Sequence, residues 1–159
     1  MFLVRDTREE RTKQIRKLME LDPVIAVIMA AADFEWTCRR CVLALGKSPT
    51  KHIREKVLHK ASFAKYTGAW EKEVYPMWGK HIGEIIGESF FDNATNEAFI
   101  LRNKLVHGEF GTVTDGYGRE QVEKLLDASV KLTAFAADTC GEPIYGRRII
   151  RIKPRPPKA

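Results

Sequence analysis

The chain has 159 residues, 44 % apolar and 30 % charged, with 27 Lys and Arg against 21 Asp and Glu for a formal charge of +6. This length suits one domain with a buried core and excludes two full-sized ones. The longest apolar run, Pro23 to Ala32 between Asp22 and Asp33, is well short of the ~20 residues that cross a bilayer, so no membrane partner is expected. The charged opening (Arg5, Asp6, Arg8, Glu9, Glu10, Arg11) lacks the apolar stretch of a signal peptide and predicts a cytoplasmic protein.

Helical spacing dominates and predicts an all-α fold. A charged first helix is expected from about Thr7 to Leu21, with Ile15, Leu18 and Met19 on its inner side. Asp22 is suited to cap the next helix, with Pro23 at its first position. The Asp side chain can accept from orphan N–H groups, and proline has no N–H to leave unpaired. That helix runs to about Leu45 and stops at Gly46; its first turns are apolar all round, which predicts a central place in the bundle. From Thr50, the stripe Ile53, Val57, Leu58 continues through Phe63, Tyr66, Trp70, Val74 and Tyr75, with breaks expected at Gly68 and before Pro76. Ile82, Ile85 and Ile86 predict a short helix. A better one follows from about Asn93 to His107, then a loop marked by Gly108, Gly111, Gly116 and Gly118. The last long helix is expected from Arg119 to Thr139, with Val122, Leu125, Leu126, Val130, Leu132 and Phe135 facing the core. Only short pieces around Gly111 to Val113 and Arg148 to Ile152 look strand-like.

The domain spans 1–146, its core about 22–139, and a tail occupies 147–159. All of the excess charge sits on that tail: Arg147, Arg148, Arg151, Lys153, Arg155 and Lys158 come without an acid, and the body keeps 21 basic against 21 acidic residues. With Pro154, Pro156 and Pro157, the tail reads as extended, either a solubilising end, an arm for an acidic partner or an added hold on phosphates. Three cysteines, Cys38, Cys41 and Cys140, do not make a disulfide framework. The Cys38-x-x-Cys41 pair lies deep in a helical pattern and has no second ligand pair, so it reads as small buried hydrophobes rather than a zinc or redox site.

The common catalytic signatures (phosphate-binding loop, dinucleotide fingerprint, nucleophile elbow, paired-histidine zinc motif) are absent. His52 and His59 read as surface or partly packed, and His81 as structural. What needs explaining is Leu101-Arg102-Asn103-Lys104-Leu105-Val106-His107-Gly108, where polar groups crowd the end of an otherwise apolar helix. Asn103 and His107 share a face, while Arg102 lies roughly 140° from His107 on a regular helix, so all three serve one site only at a helix end or under a partner surface. Gly108 supplies such an end and puts His107 at the helix C-terminus, where a cationic imidazole is favoured.

Arg102 to His107 resembles the Arg-x4-6-His motif of the HEPN (higher eukaryotes and prokaryotes nucleotide-binding) superfamily, with the frequent polar residue, here Asn103, after the Arg. Upstream, Glu35-Trp36-Thr37-Cys38-Arg39-Arg40 resembles the Glu-x-x-x-Lys-Arg element of HEPN ribonucleases, with Arg39 in place of Lys. Read alone, Glu35 and Arg39 are an ordinary helical i,i+4 pair. The resemblance implies a HEPN-like bundle of four to six helices forming a two-fold homodimer, and a metal-independent endoribonuclease with no cofactor. Its products would be 2′,3′-cyclic phosphate and 5′-OH ends. Arg102, Asn103 and His107 would be catalytic, and Glu35, Arg39, Arg40 and Lys104 would support the site and bind RNA. It further implies a toxin or defence role and a nucleotidyltransferase-type antitoxin. Two other classes stay open: a non-catalytic HEPN nucleotide- or RNA-binding module, and a helical scaffold that uses its tail as a partner arm.

Overall fold

The computed structural model describes residues 7–59, 63–88, 90, 95–109, 113–141, 144, 145, 149 and 151. These residues form an all-α bundle: α1 (Arg8–Leu21), α2 (Pro23–Leu45), α3 (Thr50–His52) running into a π-helical turn (Ile53–Val57), α4 (Phe63–Glu73), α5 (Tyr75–Trp78), α6 (Ile82–Ile86), α7 (Thr95–Val106) and α8 (Asp115–Cys140). Division of the middle of the chain into the short pieces α3, α5 and α6 takes the helical segments past the expected four to six. Among the described residues, no helix is long and apolar enough to cross a membrane. Most of the strand-like pieces and of the basic tail lies outside the described residues, and Val113, Ile149 and Arg151, which are described, are not in strands.

Local signals start the first two helices as their chemistry requires. Thr7 and Glu10 form a reciprocal capping box at α1. Asp22 Oδ1 accepts the Val24 N–H at 2.9 Å and that of Ile25 at 3.3 Å, ahead of Pro23 at the start of α2. The body of α2 is wrapped by α1, α4, α7 and α8. Its Ala26, Val27, Ala30, Ala31, Phe34, Cys38, Cys41 and Val42 are buried, and the small residues let α8 approach closely. The first turn is less covered than its composition predicts, with Ile25 46 % exposed at the corner with α1. The three cysteines are free and buried, and burial pushes the Cys38 and Cys41 thiols up, so they behave as apolar side chains.

Three expectations are corrected. The break at Gly68 is absent; burial of Tyr66, Ala69 and Trp70 on one face of α4 outweighs the ~1 kcal/mol that a helical glycine costs. The last helix begins at Asp115 rather than Arg119 and takes in Gly116 and Gly118. Gly118 serves close packing: a Cβ there would meet Val113 Cγ1 at 3.0 Å and Pro23 Cβ at 3.3 Å, so its absence lets α8 lie against the α1–α2 corner. Val130 faces outward at 43 % exposure, beside the α1–α8 groove.

The feature least visible in the sequence is a buried ionic cluster that clamps α1 onto α2. Asp33 receives Arg8 at 2.6 Å and Arg11 at 2.9 Å, all three side chains being at most 6 % exposed. Arg11 also lies over the Trp36 ring at 4.0 Å, and Tyr145 stacks on the same indole at 5.3 Å. The Tyr145 hydroxyl bonds Thr133 at 2.9 Å and accepts from Arg8 at 3.3 Å, which ties the segment after α8 into the cluster. Such a pair adds little over an apolar replacement, but removing one partner strands buried charge. Asp33→Ala should therefore cost about 3 to 5 kcal/mol, read as a lower urea midpoint and melting temperature; unchanged unfolding would show that the clamp is not structural.

Candidate functional site

The site begins with the packing of α7 on α2. Phe34 on α2 meets Phe99 on α7 edge-on, with ring centroids 6.3 Å apart, and Phe90 packs on the same Phe34 ring at 5.2 Å. This aromatic contact fixes the crossing of the two helices. Arg102 lies three residues beyond Phe99, on the same side of α7, and so comes opposite Glu35, the neighbour of Phe34. The Arg102 guanidinium Nη2 stands 3.7 Å from Glu35 Oε2, and its Nη1 donates to Asn103 Oδ1 at 2.8 Å. The two sequence elements, far apart in the chain, thus meet at one point.

Both partners of this pair are only partly solvated, with side-chain exposures of 31 % for Arg102 and 24 % for Glu35. Burial pushes the Glu35 carboxyl above its ordinary value, and the Arg102 charge draws it part of the way back. A guanidinium has five N–H donors in a rigid fork. Asn103 engages one donor on Nη1, while Glu35 faces Nη2 at ion-pair distance.

Arg39 lies one turn beyond Glu35 on the same face of α2. Its Nη1 donates to the Leu58 carbonyl at 3.4 Å. Tyr66 is 5 % exposed, and burial together with the Glu35 charge pushes its phenol up to about 12. In sequence it is one more aromatic of the α4 stripe. The signal that could have distinguished it is its hydroxyl, because a buried tyrosine needs a polar partner that its Phe and Trp neighbours on the stripe do not.

Arg40 is not brought to this group. The ~100° step between consecutive helical residues turns it to the other side of α2, where it is buried, donates to the Ile144 carbonyl and lies 4.8 Å from the Trp36 ring. Desolvation and the neighbouring Arg11 charge lower its pKa from the ordinary value. Lys104 is half-buried on α7, and its carbonyl accepts the Glu109 N–H at 2.8 Å.

His107 is exposed at the end of α7. Gly108 has φ +71°, its N–H reaches the Leu105 carbonyl at 3.3 Å, and with the Glu109 bond this closes a Schellman motif. The His107 imidazole therefore stands at the C-terminal end of α7. Within one chain the structure joins Arg102 to Glu35 and Asn103, and leaves His107 on a face turned about 140° from Arg102. Ile100, Asn103 and His107 share that outward face, with Val106 on its flank. Ile100 and Val106 are 52 % and 53 % exposed. Among the described residues, no group of three His, Cys, Asp or Glu side chains is placed to hold a metal ion. His81 is engaged elsewhere, bonded to Glu71 at 2.8 Å and stacked on Tyr75.

No known family, curated protein or solved structure matches the chain.

Two outcomes follow. Gly108→Ala places a Cβ in a left-handed conformation and should cost about 1 kcal/mol, with faster amide exchange in the last turn of α7; wild-type exchange there would contradict the capping role. For Glu35, a folded pKa above the unfolded one means that the native state binds more protons, so its contribution to stability falls as pH rises through that interval. Glu35→Gln should make the change in urea midpoint between pH 4 and pH 7 less unfavourable than in wild type. An unaltered pH profile would contradict the desolvated carboxylate.

Proposed function

We propose that this chain is a metal-independent endoribonuclease of the HEPN type that works as a two-fold homodimer. The observation that carries the reading is the meeting of Glu35 with Arg102 at 3.7 Å, because the two elements that resemble HEPN motifs share one site in space. In this reading His107 takes the proton from a ribose 2′-OH, whose oxygen attacks the adjacent phosphorus. The bond to the 5′-oxygen then breaks and that oxygen is protonated by an acid. The products are a 2′,3′-cyclic phosphate and a 5′-OH. An imidazole can both take and give a proton, which suits this transfer. Arg102 suits the phosphorane charge, because its planar fork is permanently cationic and can hold two oxygens.

One histidine per chain does not supply both base and acid in a single step. A two-fold axis beside α7 would bring two His107 and two Arg102 side chains to one cleft. The exposed Ile100 and Val106 give the second copy an apolar surface to cover beside Asn103 and His107. Glu35 then orients Arg102 from behind, Asn103 holds the other terminal nitrogen, Arg39 adds a second fixed cation, and Lys104 lies on the same helix. A toxin or defence role, with an antitoxin of the nucleotidyltransferase type, rests on the motif resemblance alone. A second reading, a binding or assembly module with the same seam, is favoured by the pairing of Arg102 with Glu35, which gives the guanidinium a partner within the chain itself.

The test is incubation of wild type, Arg102→Ala and His107→Ala with labelled tRNA and mRNA in EDTA, followed by analysis of the ends. The reading predicts cleavage by wild type to cyclic phosphate and a loss of 100-fold or more in each variant, on the scale of general acid–base and oxyanion contributions. RNA binding by wild type that Arg102→Ala loses, with no cleavage by any of the three, would decide for the binding module. Equal behaviour of all three in cleavage and in binding would overturn both readings.

A further inference from the structure

Neutrality of the body by count hides an uneven distribution of its charge. Between residues 47 and 59, Lys47, Lys51, Arg54 and Lys56 stand against a single acid, Glu55, with His52 and His59 among them. All seven side chains are exposed, whereas Ile53 and Leu58 are buried and Val57 is half-buried. The segment is thus anchored by an apolar inner face and turns its cations outward. Several exposed cations elsewhere are paired, Arg16 with Glu123 at 2.8 Å and Lys124 with Glu120 and Lys131 with Asp127 at 2.7 Å each. Among the described residues, none of the four cations of 47–59 has an acid within ion-pair distance.

Specific contacts hold this surface in place. Buried Glu73 accepts the Ser48 N–H at 3.0 Å and the Ser48 hydroxyl at 3.1 Å, and the Lys47 N–H donates to the Glu73 carbonyl at 3.0 Å. At the other end of the segment, Arg39 Nη1 donates to the Leu58 carbonyl at 3.4 Å, which joins it to the face of α2 that carries Glu35. From Glu35 to Gly46 the axis of α2 extends only ~16 Å, so one RNA strand can reach both the candidate site and the basic surface. Arg151, from the tail, comes to the same end of the bundle. Its guanidinium donates to the Gly46 carbonyl, and Lys153, Arg155 and Lys158 follow it in the sequence.

The chemistry of the surface selects its partner. A protein partner needs an apolar patch to bury, and here the apolar side chains are turned inward. A nucleic-acid backbone needs only cations, from which it displaces counter-ions. We propose that Lys47, Lys51, Arg54 and Lys56 form a binding track for the backbone of single-stranded RNA, leading from the candidate site toward the end of α2. The choice of RNA as the polyanion rests on the ribonuclease reading, but the binding does not depend on the cleavage step. Contacts of this kind hold a strand without reading its sequence.

The test is binding of a labelled single-stranded RNA across a salt series in EDTA, with His107→Ala as the background that leaves the RNA uncut. Adding Lys51→Gln, Arg54→Gln and Lys56→Gln together should weaken binding by about tenfold or more, and should lower the slope of log Kd against log salt by about 2, since each backbone contact on a single strand contributes about 0.7. Lys13, Lys17 and Arg119 are exposed on α1 and α8; changing these three to Gln removes the same charge and should leave affinity and slope unaltered. Single replacements within the track, each lowering the slope by about 0.7, keep the proposal testable should the triple variant fold poorly. Unaltered Kd and slope in the track variant, an equal loss in the α1 and α8 variant, or tighter binding of polyglutamate than of RNA would overturn the track while leaving the ribonuclease reading intact. Cleavage that survives Arg102→Ala and His107→Ala would instead overturn that reading.

Discussion

The structure depends on the burial of α2. A helix of 23 residues whose residues are covered on most sides cannot sit on a surface, so the chain must supply a helix to each of its faces. α8 takes the face lined with small residues, α1 another through Asp33, and α4 and α7 the remainder. Because α2 is central, consecutive residues on it serve different neighbours. Phe34 packs on α7 and Glu35 meets Arg102, whereas Trp36 and Arg40 belong to the cluster that holds α1 and Tyr145. The ~100° helical step is what separates chemistry from scaffold within a few residues.

The two polar constellations on α2 differ in the way that distinguishes a site from a clamp. Asp33 and its arginines are at most 6 % exposed and are closed over by stacked rings, so their charges serve the fold. Glu35 and Arg102 keep about a quarter to a third of their exposure. They are dry enough for a carboxylate to feel burial and open enough for a ligand to reach the remaining N–H donors of the guanidinium. In the proposed reading, fixing that guanidinium beforehand leaves less ordering to be done on binding a phosphate.

Much of this was legible in the sequence because it is local. Thr7, Asp22 with Pro23, and Gly108 each carry their own start or stop chemistry, and the helices end where those residues put them. The Arg102 to His107 segment stood out because polar side chains rarely crowd an apolar helix end without reason. What escaped was tertiary. Arg8 and Arg11 look like solvated charges until Asp33, a helix away, is seen to face them. Gly118 looks like a loop residue until close packing on Pro23 accounts for it. Arg40 looks equivalent to Arg39 until the faces of α2 are assigned.

The claim on which the functional account turns is that two chains build one cleft, each contributing Arg102 and His107. It is tested most directly by mixing wild-type subunits with subunits carrying both Arg102→Ala and His107→Ala, under conditions in which subunit exchange is demonstrated, and assaying RNA cleavage. A shared cleft that needs both His107 side chains predicts that mixed dimers are inactive, so activity falls with the square of the wild-type fraction. Activity that falls only in direct proportion to the wild-type fraction would contradict it.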